Sequence, residues 1–126
     1  MALKVDLKAG ERLIIGDCLI TNTDQRARLL IDGDNIPILR EKDILTGTTA
    51  NTPVKRLYLC VQMMYLEKDI PKYQDLYMDF VKELLEAVPS FRKEIEAASK
   101  LILSGSLYGS LKEIRKLIKR EEELLR

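Results

Sequence analysis

The stretch GERLIIGD, residues 10–17, sets the pattern for the first third of the chain. It places an apolar strand between two glycines, and glycine favours tight turns because it adopts positive φ at no steric cost. Before it, Leu3, Val5 and Leu7 alternate with polar residues, which is the two-residue period of a half-buried strand. Further strand patterns follow at residues 18–21, 27–31 and 36–40. The period predicts a small antiparallel β-module of about five strands over residues 1–46.

This predicted module is too small to be comfortably stable by itself. Five short strands from about 45 residues bury little apolar surface. Pro37 limits the last strand, residues 36–40, to an edge or to a register in which its missing N–H does no harm. We therefore expect the β-module to be completed by a helical cover or by a second copy of the chain.

The hydrophobic period changes from two to about 3.6 after residue 51. Residues 46–51 are a predicted linker, and Thr52 is a predicted N-cap with Pro53 at the first helical position. Apolar residues then recur at helical spacing in four segments, 53–67, 71–88, 91–103 and 106–125. Ser90 is the expected cap of the third helix, and Gly105 marks its end. The chain is therefore predicted to be α+β, with a bundle of about four helices over residues 52–126.

Composition excludes several classes of function. The formal net charge of +1 rules out binding to nucleic acid by bulk charge, so any such binding needs a local patch. Histidine is absent, which removes the commonest general base and the usual nitrogen ligand of zinc. Cys18 and Cys60 lack CxxC spacing and are expected to be buried, reduced thiols. We predict no catalytic residue, no metal site and no cofactor.

The sequence also gives an expectation of location. Residues 57–61 form a central apolar run that is far too short to cross a bilayer. Asp6 and Glu11 interrupt the start of the chain, where a secretory signal would need an uninterrupted apolar segment. We expect a cytoplasmic protein that makes no membrane contact.

Acidic residues do not form a convincing catalytic pair. Asp32 and Asp34 lie in a predicted turn, whereas Glu94 and Glu96 lie two positions apart on a helix and face different directions. A phosphate-binding loop is also absent from the pattern, because residues 105–109 lack a preceding strand and a lysine. The chemistry that remains is that of displayed basic side chains.

Two sets of basic residues are candidates for binding. One is on the β-module and is predicted to point outward: Lys4, Lys8, Arg26, Arg28, Arg40 and Lys42. The other is on the last helix: Lys112, Arg115, Lys116, Lys119 and Arg120. The acidic run at 121–123 weakens the local field of the helical set, whose ordinary interpretation is a solvated face. Charges on exposed strands also have an ordinary role, since they deter edge-to-edge aggregation.

Several stretches of the chain resemble the FlbT family of flagellin regulators. They are residues 3–18, 37–45 (PILREKDIL), 52–59 (TPVKRLYL), 64–67 and 111–118 (LKEIRKLI). The resemblance extends from end to end. It implies association with the 5′ untranslated region of flagellin mRNA and control of the translation and decay of that message. It also implies functional coupling to a second small helical flagellar regulator, FlaF.

The first 45 residues also resemble the carbon-storage regulator family of small RNA-binding β-proteins. The similarity lies in residues 10–17 and 39–45. That family binds RNA as a strand-swapped dimer, in which the first strand of one chain lies beside the last strand of the other. The resemblance implies that Arg40 is the main basic contact and Lys8 a second. Leu7 stands where the family has an arginine, so one guanidinium of that family's site is missing here.

These resemblances leave two functional hypotheses open. The first is a post-transcriptional regulator that binds flagellin mRNA directly as a homodimer through the β-module. On this hypothesis Arg40 and Lys8 lie together, with Lys4 and Lys42 nearby and with Arg26 and Arg28 on an adjacent strand. The alternative is a protein-interaction adaptor whose helical bundle binds a FlaF-like partner and which contacts RNA only indirectly. Near-neutral charge and a first helix rich in methionine and tyrosine favour the alternative.

Overall fold

The computed structural model describes residues 2–126, and the chain divides into two compact units. One ends at Ile44, and the other comprises Leu45–Arg126. The first contains the strands and the second contains the four long helices. The predicted α+β class, with about five strands followed by about four helices, is confirmed.

The β-unit, defined as residues 2–44, contains five antiparallel strands in two sheets. They are β1 (Ala2–Leu7), β2 (Arg12–Ile15), β3 (Cys18–Thr21), β4 (Ala27–Asp32) and β5 (Ile38–Arg40), followed by a short 3-10 turn at Glu41–Asp43. β1 pairs with β4, and the second sheet has the order β3-β2-β5. β5 is therefore an edge strand, as the proline before it predicts, and it begins directly after Pro37.

Glycine turns connect these strands where the sequence places them. Gly10 and Gly16 have φ of 82° and 58°, a region that other residues adopt only with strain. The N–H of Gly16 donates to the carbonyl of Pro37 at 2.8 Å, and the N–H of Gly10 donates to the carbonyl of Asn22 at 2.6 Å. Both turns are thereby tied to a segment distant in sequence, which holds the strand ends in position.

The core of the β-unit lies between the inner faces of its two sheets. Val5, Leu7 and Leu13 are buried there, and Ile15, Leu29, Ile31 and Ile38 pack against them half-buried. The alternation of Leu29 and Ile31 inward with Arg28 and Leu30 outward follows the predicted period of two. Five large apolar side chains of this unit remain exposed: Leu3, Leu19, Ile20, Leu30 and Ile36. The core is thus small for the number of apolar residues available.

The helical unit, Leu45–Arg126, contains α1 (Pro53–Glu67), α2 (Ile70–Ala87), α3 (Arg92–Leu103) and α4 (Leu107–Leu124), with a 3-10 turn at Pro89–Phe91. α1 packs against both α2 and α4, and α3 packs against α4. None of the helices between residues 2 and 126 combines the length and apolarity needed to span a membrane.

Helix termini follow the sequence signals at most positions. The Thr52 side chain accepts from the N–H of Lys55 at 3.2 Å, and Pro53 follows it, as predicted. Gly105 ends α3 with φ of 82°. Ser90 does not cap α3, because it lies inside the 3-10 turn and Phe91 takes the N-cap position without a side-chain bond. Pro89 starts that turn early and moves the helix start beyond the serine.

The buried face of each helix differs in places from the apolar pattern. Leu76 and Leu125 continue the helical spacing of apolar residues, but they are 45% and 68% exposed. Conversely, Ser110 and Glu121 are buried on α4 although they are polar. The Ser110 hydroxyl donates to the carbonyl of Ala98 at 3.0 Å, which joins α4 to α3 and satisfies the buried group.

Segment 45–51, which includes the predicted linker, has ordered structure of its own. The Gln62 side chain accepts from the N–H of Leu45 at 2.8 Å and donates to its carbonyl at 2.9 Å. Thr46 and Thr49 bond to each other through side chain and backbone, and Ala50 is buried. The strand-to-helix connection is therefore fixed to α1 at its start.

Glu121 joins the end of α4 to the beginning of α1. Its carboxylate accepts from the Thr52 hydroxyl and from the N–H of Val54, the latter at 3.0 Å. The first N–H groups of a helix have no partner within the helix, and its N-terminus carries partial positive charge. A buried carboxylate at this position accepts a hydrogen bond from one of these N–H groups and balances the partial positive charge. It also fixes α1 against α4.

We predict that Glu121→Ala lowers the free energy of unfolding by about 1–3 kcal/mol, because the buried N–H of Val54 loses its acceptor. Urea unfolding followed by circular dichroism measures the change. Glu122→Ala is the matched control, since Glu122 is exposed on the same turn; its effect should stay within about 0.5 kcal/mol. Equal losses in the two variants would contradict the capping role.

Candidate nucleic-acid interface

The outer face of the β1–β4 sheet carries basic residues beside one acid. In the register of this pair, Lys4 lies opposite Leu30 and Asp6 lies opposite Arg28. Arg28 Nε donates to Asp6 Oδ1 at 2.9 Å, and both side chains are exposed. The hydrogen bond and charge of Arg28 lower the pKa of Asp6 below its usual value, with smaller contributions from Arg26 and Arg40. Arg28 is thus displayed, but it has a carboxylate partner.

The sequence pattern predicts that the Arg40 side chain points outward, but the structure places it partly against the core. It lies opposite Leu13 in the β2–β5 register, so its side chain is on the face that carries the core residue Leu13. It is 36% exposed. Its Nη2 donates to the backbone carbonyl of Asp6 at 2.6 Å, while its Nε is buried without a protein partner. The guanidinium closes one end of the core and presents only part of itself to solvent.

Lys8 lies in the turn after β1, where its backbone is bonded to a second acid, Glu11. Its N–H donates to Glu11 Oε1 at 2.6 Å, and Arg40 Nη2 lies 3.9 Å from that oxygen. The Asn22 side chain donates to the carbonyls of Leu7 and Lys8, which fixes the backbone of the turn. The structure therefore brings the side chains of Arg28 and Arg40 near the carboxylates of Asp6 and Glu11, and the backbone N–H of Lys8 is bonded to Glu11. We call these five residues the Asp6 cluster.

The remaining predicted residues surround the cluster less closely. Lys4 and Arg26 are exposed, and Arg26 lines a shallow polar depression formed by residues 22–27. Lys42 is exposed in the 3-10 turn after β5, where its neighbour Glu41 pairs with Arg12. Sequence reasoning identified these cations but missed the acids beside them, because Asp6 and Glu11 gave no signal other than strand alternation.

The two thiols are in different environments. Cys18 is exposed, so the expectation that it is buried was wrong; it lies at the start of β3, after the turn at Gly16. Cys60 is buried on α1, and its Sγ lies 3.5 Å from the carbonyl of Tyr73. Burial raises the pKa of Cys60 to about 11. A thiol that stays protonated at neutral pH is a packing residue rather than a nucleophile.

Carboxylates and thiols do not assemble into a metal site in the part of the chain that the structure describes. No group of three or more such side chains lies together between residues 2 and 126. The Asp6 cluster instead suits binding of an anion by guanidinium and ammonium groups. Its Arg40 is held in a fixed orientation by the Asp6 carbonyl and by Glu11.

Comparison with known proteins places the whole chain in one family. Residues 3–125 match the family described as flagellar protein FlbT. The chain belongs to the FlbT family. The match covers nearly all of both units described above, so the family resemblance stated from sequence is confirmed. The similarity of the β-unit to the carbon-storage regulators stays a prediction.

Three relatives show how far the family similarity extends. A probable flagellum biosynthesis repressor protein FlbT of Rhodopseudomonas palustris (strain ATCC BAA-98 / CGA009) is 70% identical over 125 residues, covering 99% of this chain and 98% of the relative. One from Bradyrhizobium diazoefficiens is 57% identical over 124 residues, covering 98% and 85%. The flagellum biosynthesis repressor protein FlbT of Caulobacter vibrioides (strain ATCC 19089 / CIP 103742 / CB 15) is 32% identical over 128 residues, covering 99% and 90%. No solved structure matches this FlbT family chain.

We predict that iodoacetamide at pH 8 modifies Cys18 rapidly and leaves Cys60 unmodified until the protein unfolds. At pH 8 a thiol with a pKa of about 11 is ionised in roughly one molecule in a thousand. Mass spectrometry of the two tryptic peptides reads the result. In the Cys18→Ser variant no fast phase should remain, and rapid modification of Cys60 in the folded protein would contradict its buried position.

Proposed function

We propose that this protein represses flagellum synthesis after transcription, by binding the 5′ untranslated region of flagellin mRNA and controlling its translation and degradation. The observation that carries the proposal is that relatives covering nearly the whole chain are named flagellum biosynthesis repressors. Regulation by binding, rather than catalysis, agrees with the chemistry of the Asp6 cluster.

The Asp6 cluster supports RNA as the ligand. Arg40 is oriented by the carbonyl of Asp6, so less side-chain entropy is lost when it binds an anion. A guanidinium binds phosphate or a guanine edge through two parallel hydrogen bonds. Lys8 and Arg28 lie beside it, and Lys4, Arg26 and Lys42 extend the positive surface of the same unit. Bound phosphate would compete with Asp6 and Glu11 for these cations. The affinity for RNA would therefore depend strongly on where its phosphates lie relative to the arginines.

We also propose that two copies associate through the β-unit. Within residues 2–44, Val5, Leu7 and Leu13 form the buried cluster and Leu39 is buried outside it, whereas Leu3, Ile20 and Leu30 stay exposed on the strands. β1 and β4 form a two-stranded sheet, so each has an edge without a strand partner within residues 2–126. A two-stranded sheet is only marginally stable by itself, and unpaired edges favour addition of further strands. A homodimer, with or without strand exchange, would cover these features and would contain Arg40 twice.

We predict that purified protein binds flagellin leader RNA with micromolar or tighter affinity that falls as salt rises. Arg40→Ala should weaken this binding at least about tenfold, because a charge-assisted hydrogen bond contributes roughly 1.5–3 kcal/mol. Filter binding over a salt series measures both quantities. Circular dichroism must accompany it, since the half-buried Arg40 also closes the core.

Two controls make this prediction sharp. Arg12→Ala removes an equal charge from the opposite face of β2 and should leave affinity unchanged. Arg40→Lys keeps the charge but loses the paired hydrogen bonds, so it should recover only part of the affinity. If no RNA binding appears until a helical flagellar partner is added, the adaptor hypothesis replaces direct binding.

We predict a mass of about twice the 14.5 kDa monomer at tens of micromolar protein, measured by light scattering. Leu30→Glu, which puts a charge on the exposed outer face of β4, should shift the equilibrium toward monomer. Asp79→Lys on the exposed surface of α2 is the control and should leave the mass unchanged. A monomer at this concentration, or dissociation by the α2 change alone, would contradict association through the β-unit.

A further inference from the structure

The basic residues of α4 lie on two flanks with different surroundings. On one flank, Lys116 Nζ pairs with Glu113 Oε1 at 3.0 Å, and Arg120 pairs with Glu94 while it lies over the ring of Phe91. These cations have local partners that neutralise them. Lys116 and Arg120 therefore stabilise the helical unit through these contacts.

The other flank of α4 carries Tyr108, Lys112, Arg115 and Lys119. Their spacing of four, three and four residues aligns them in one stripe along about 16 Å of helix. We call these four residues the α4 stripe. Within residues 2–126, neither Lys112 nor Lys119 forms an ion pair with a carboxylate. Glu122 follows one turn later and ends the positive stretch.

Tyr108 gives the α4 stripe an aromatic ring. Tyr108 is 39% exposed, and its ring lies 6.0 Å from that of Tyr65 on α1, at an angle of 48°. Lys112 Nζ lies 5.1 Å from the centre of the Tyr108 ring, and Arg115 Cζ lies 5.6 Å from it. Arg115 Nε also donates to the hydroxyl of buried Tyr58 at 3.3 Å. The guanidinium is thereby held beside an accessible tyrosine ring.

Exposed rings interleaved with ordered cations are typical of surfaces that bind single-stranded nucleic acid. Every base has a face that stacks on an aromatic ring, and lysines spaced along a groove or helix follow the phosphates. A protein partner would instead require an apolar centre. The α4 stripe has no aliphatic member, and Tyr108 is its one aromatic ring. Charge and composition therefore favour RNA over an apolar protein surface.

We infer that the α4 stripe is a second RNA-binding surface, which takes an unpaired segment of the bound message. This inference rests on the proposed function and adds a site to it. A base stacks on Tyr108, Lys112 and Lys119 contact the phosphates, and Arg115 contacts a phosphate or a base edge beside the ring. The Asp6 cluster and the α4 stripe are then two separate RNA-binding surfaces.

The test uses the full chain, flagellin leader RNA and a scrambled RNA of equal length. The double variant Lys112→Gln, Lys119→Gln should bind the leader about tenfold more weakly. The slope of log affinity against log salt should become shallower by roughly 1.4, the value for two phosphate contacts on a single strand. Tyr108→Leu should also weaken binding about tenfold but leave the slope unchanged, and Tyr108→Phe should retain the affinity.

Lys116→Gln combined with Lys100→Gln is the matched control, because it removes the same charge outside the α4 stripe; it should match the wild type. If the stripe variants also match the wild type while Arg40→Ala loses affinity, the inference is wrong and the proposed function stands. If the wild type binds leader and scrambled RNA equally, but through Lys112 and Lys119, the stripe is confirmed as an RNA surface and specific recognition of flagellin mRNA fails. Loss of helical structure in Tyr108→Leu is detected by circular dichroism, and the lysine variant then decides alone.

Discussion

The carboxylate of Glu121 holds the helical unit in register. It binds the N-terminus of α1 from the far end of α4, so the position of one helix along the other is fixed by charge and hydrogen bonding as well as by packing. Leu57, Val61, Ile114 and Leu117 then fill the space between helices. Without the carboxylate, the apolar faces could slide by a turn at smaller cost, because ridges of similar residues repeat along both helices.

The contacts of the α4 stripe depend on this register. Arg115 reaches the Tyr58 hydroxyl, and Tyr108 approaches Tyr65, only where α1 and α4 lie at the observed offset. Arg115 and Tyr58 are 57 residues apart in the sequence, so no local sequence signal specifies their contact. A single buried acid therefore supports both the stability of the helical unit and the arrangement of its exposed cations.

The sequence predicts the elements of this fold well because their signals are local. Glycines at 10 and 16, the alternation in β4 and the Thr52–Pro53 cap all lie within a few residues of the structure they specify. The predictions fail where a distant partner decides. Arg40 is turned toward the core by its register with Leu13, and Glu121 is buried because the N–H of Val54 needs an acceptor. Alternation of charge identified the six candidate cations of the β-unit, but it could not show that Asp6 and Glu11 lie beside two of them, Arg28 and Arg40.

The two basic surfaces differ in how they would exchange solvent for phosphate. In the Asp6 cluster, an incoming phosphate must displace or tolerate carboxylates that lie within hydrogen-bond reach of Arg28 and near Arg40. An RNA that positions its phosphates poorly gains little there, since Arg28 is already paired with Asp6 and Glu11 lies 3.9 Å from Arg40. On the α4 stripe, neither Lys112 nor Lys119 has a carboxylate partner among residues 2–126, so phosphate binding there would release counterions and require little geometric fit. A surface of the first kind discriminates between ligands, whereas one of the second kind adds affinity to any single strand. If the protein binds flagellin mRNA as proposed, the first surface would supply specificity for that message and the second would lengthen the residence time of the complex.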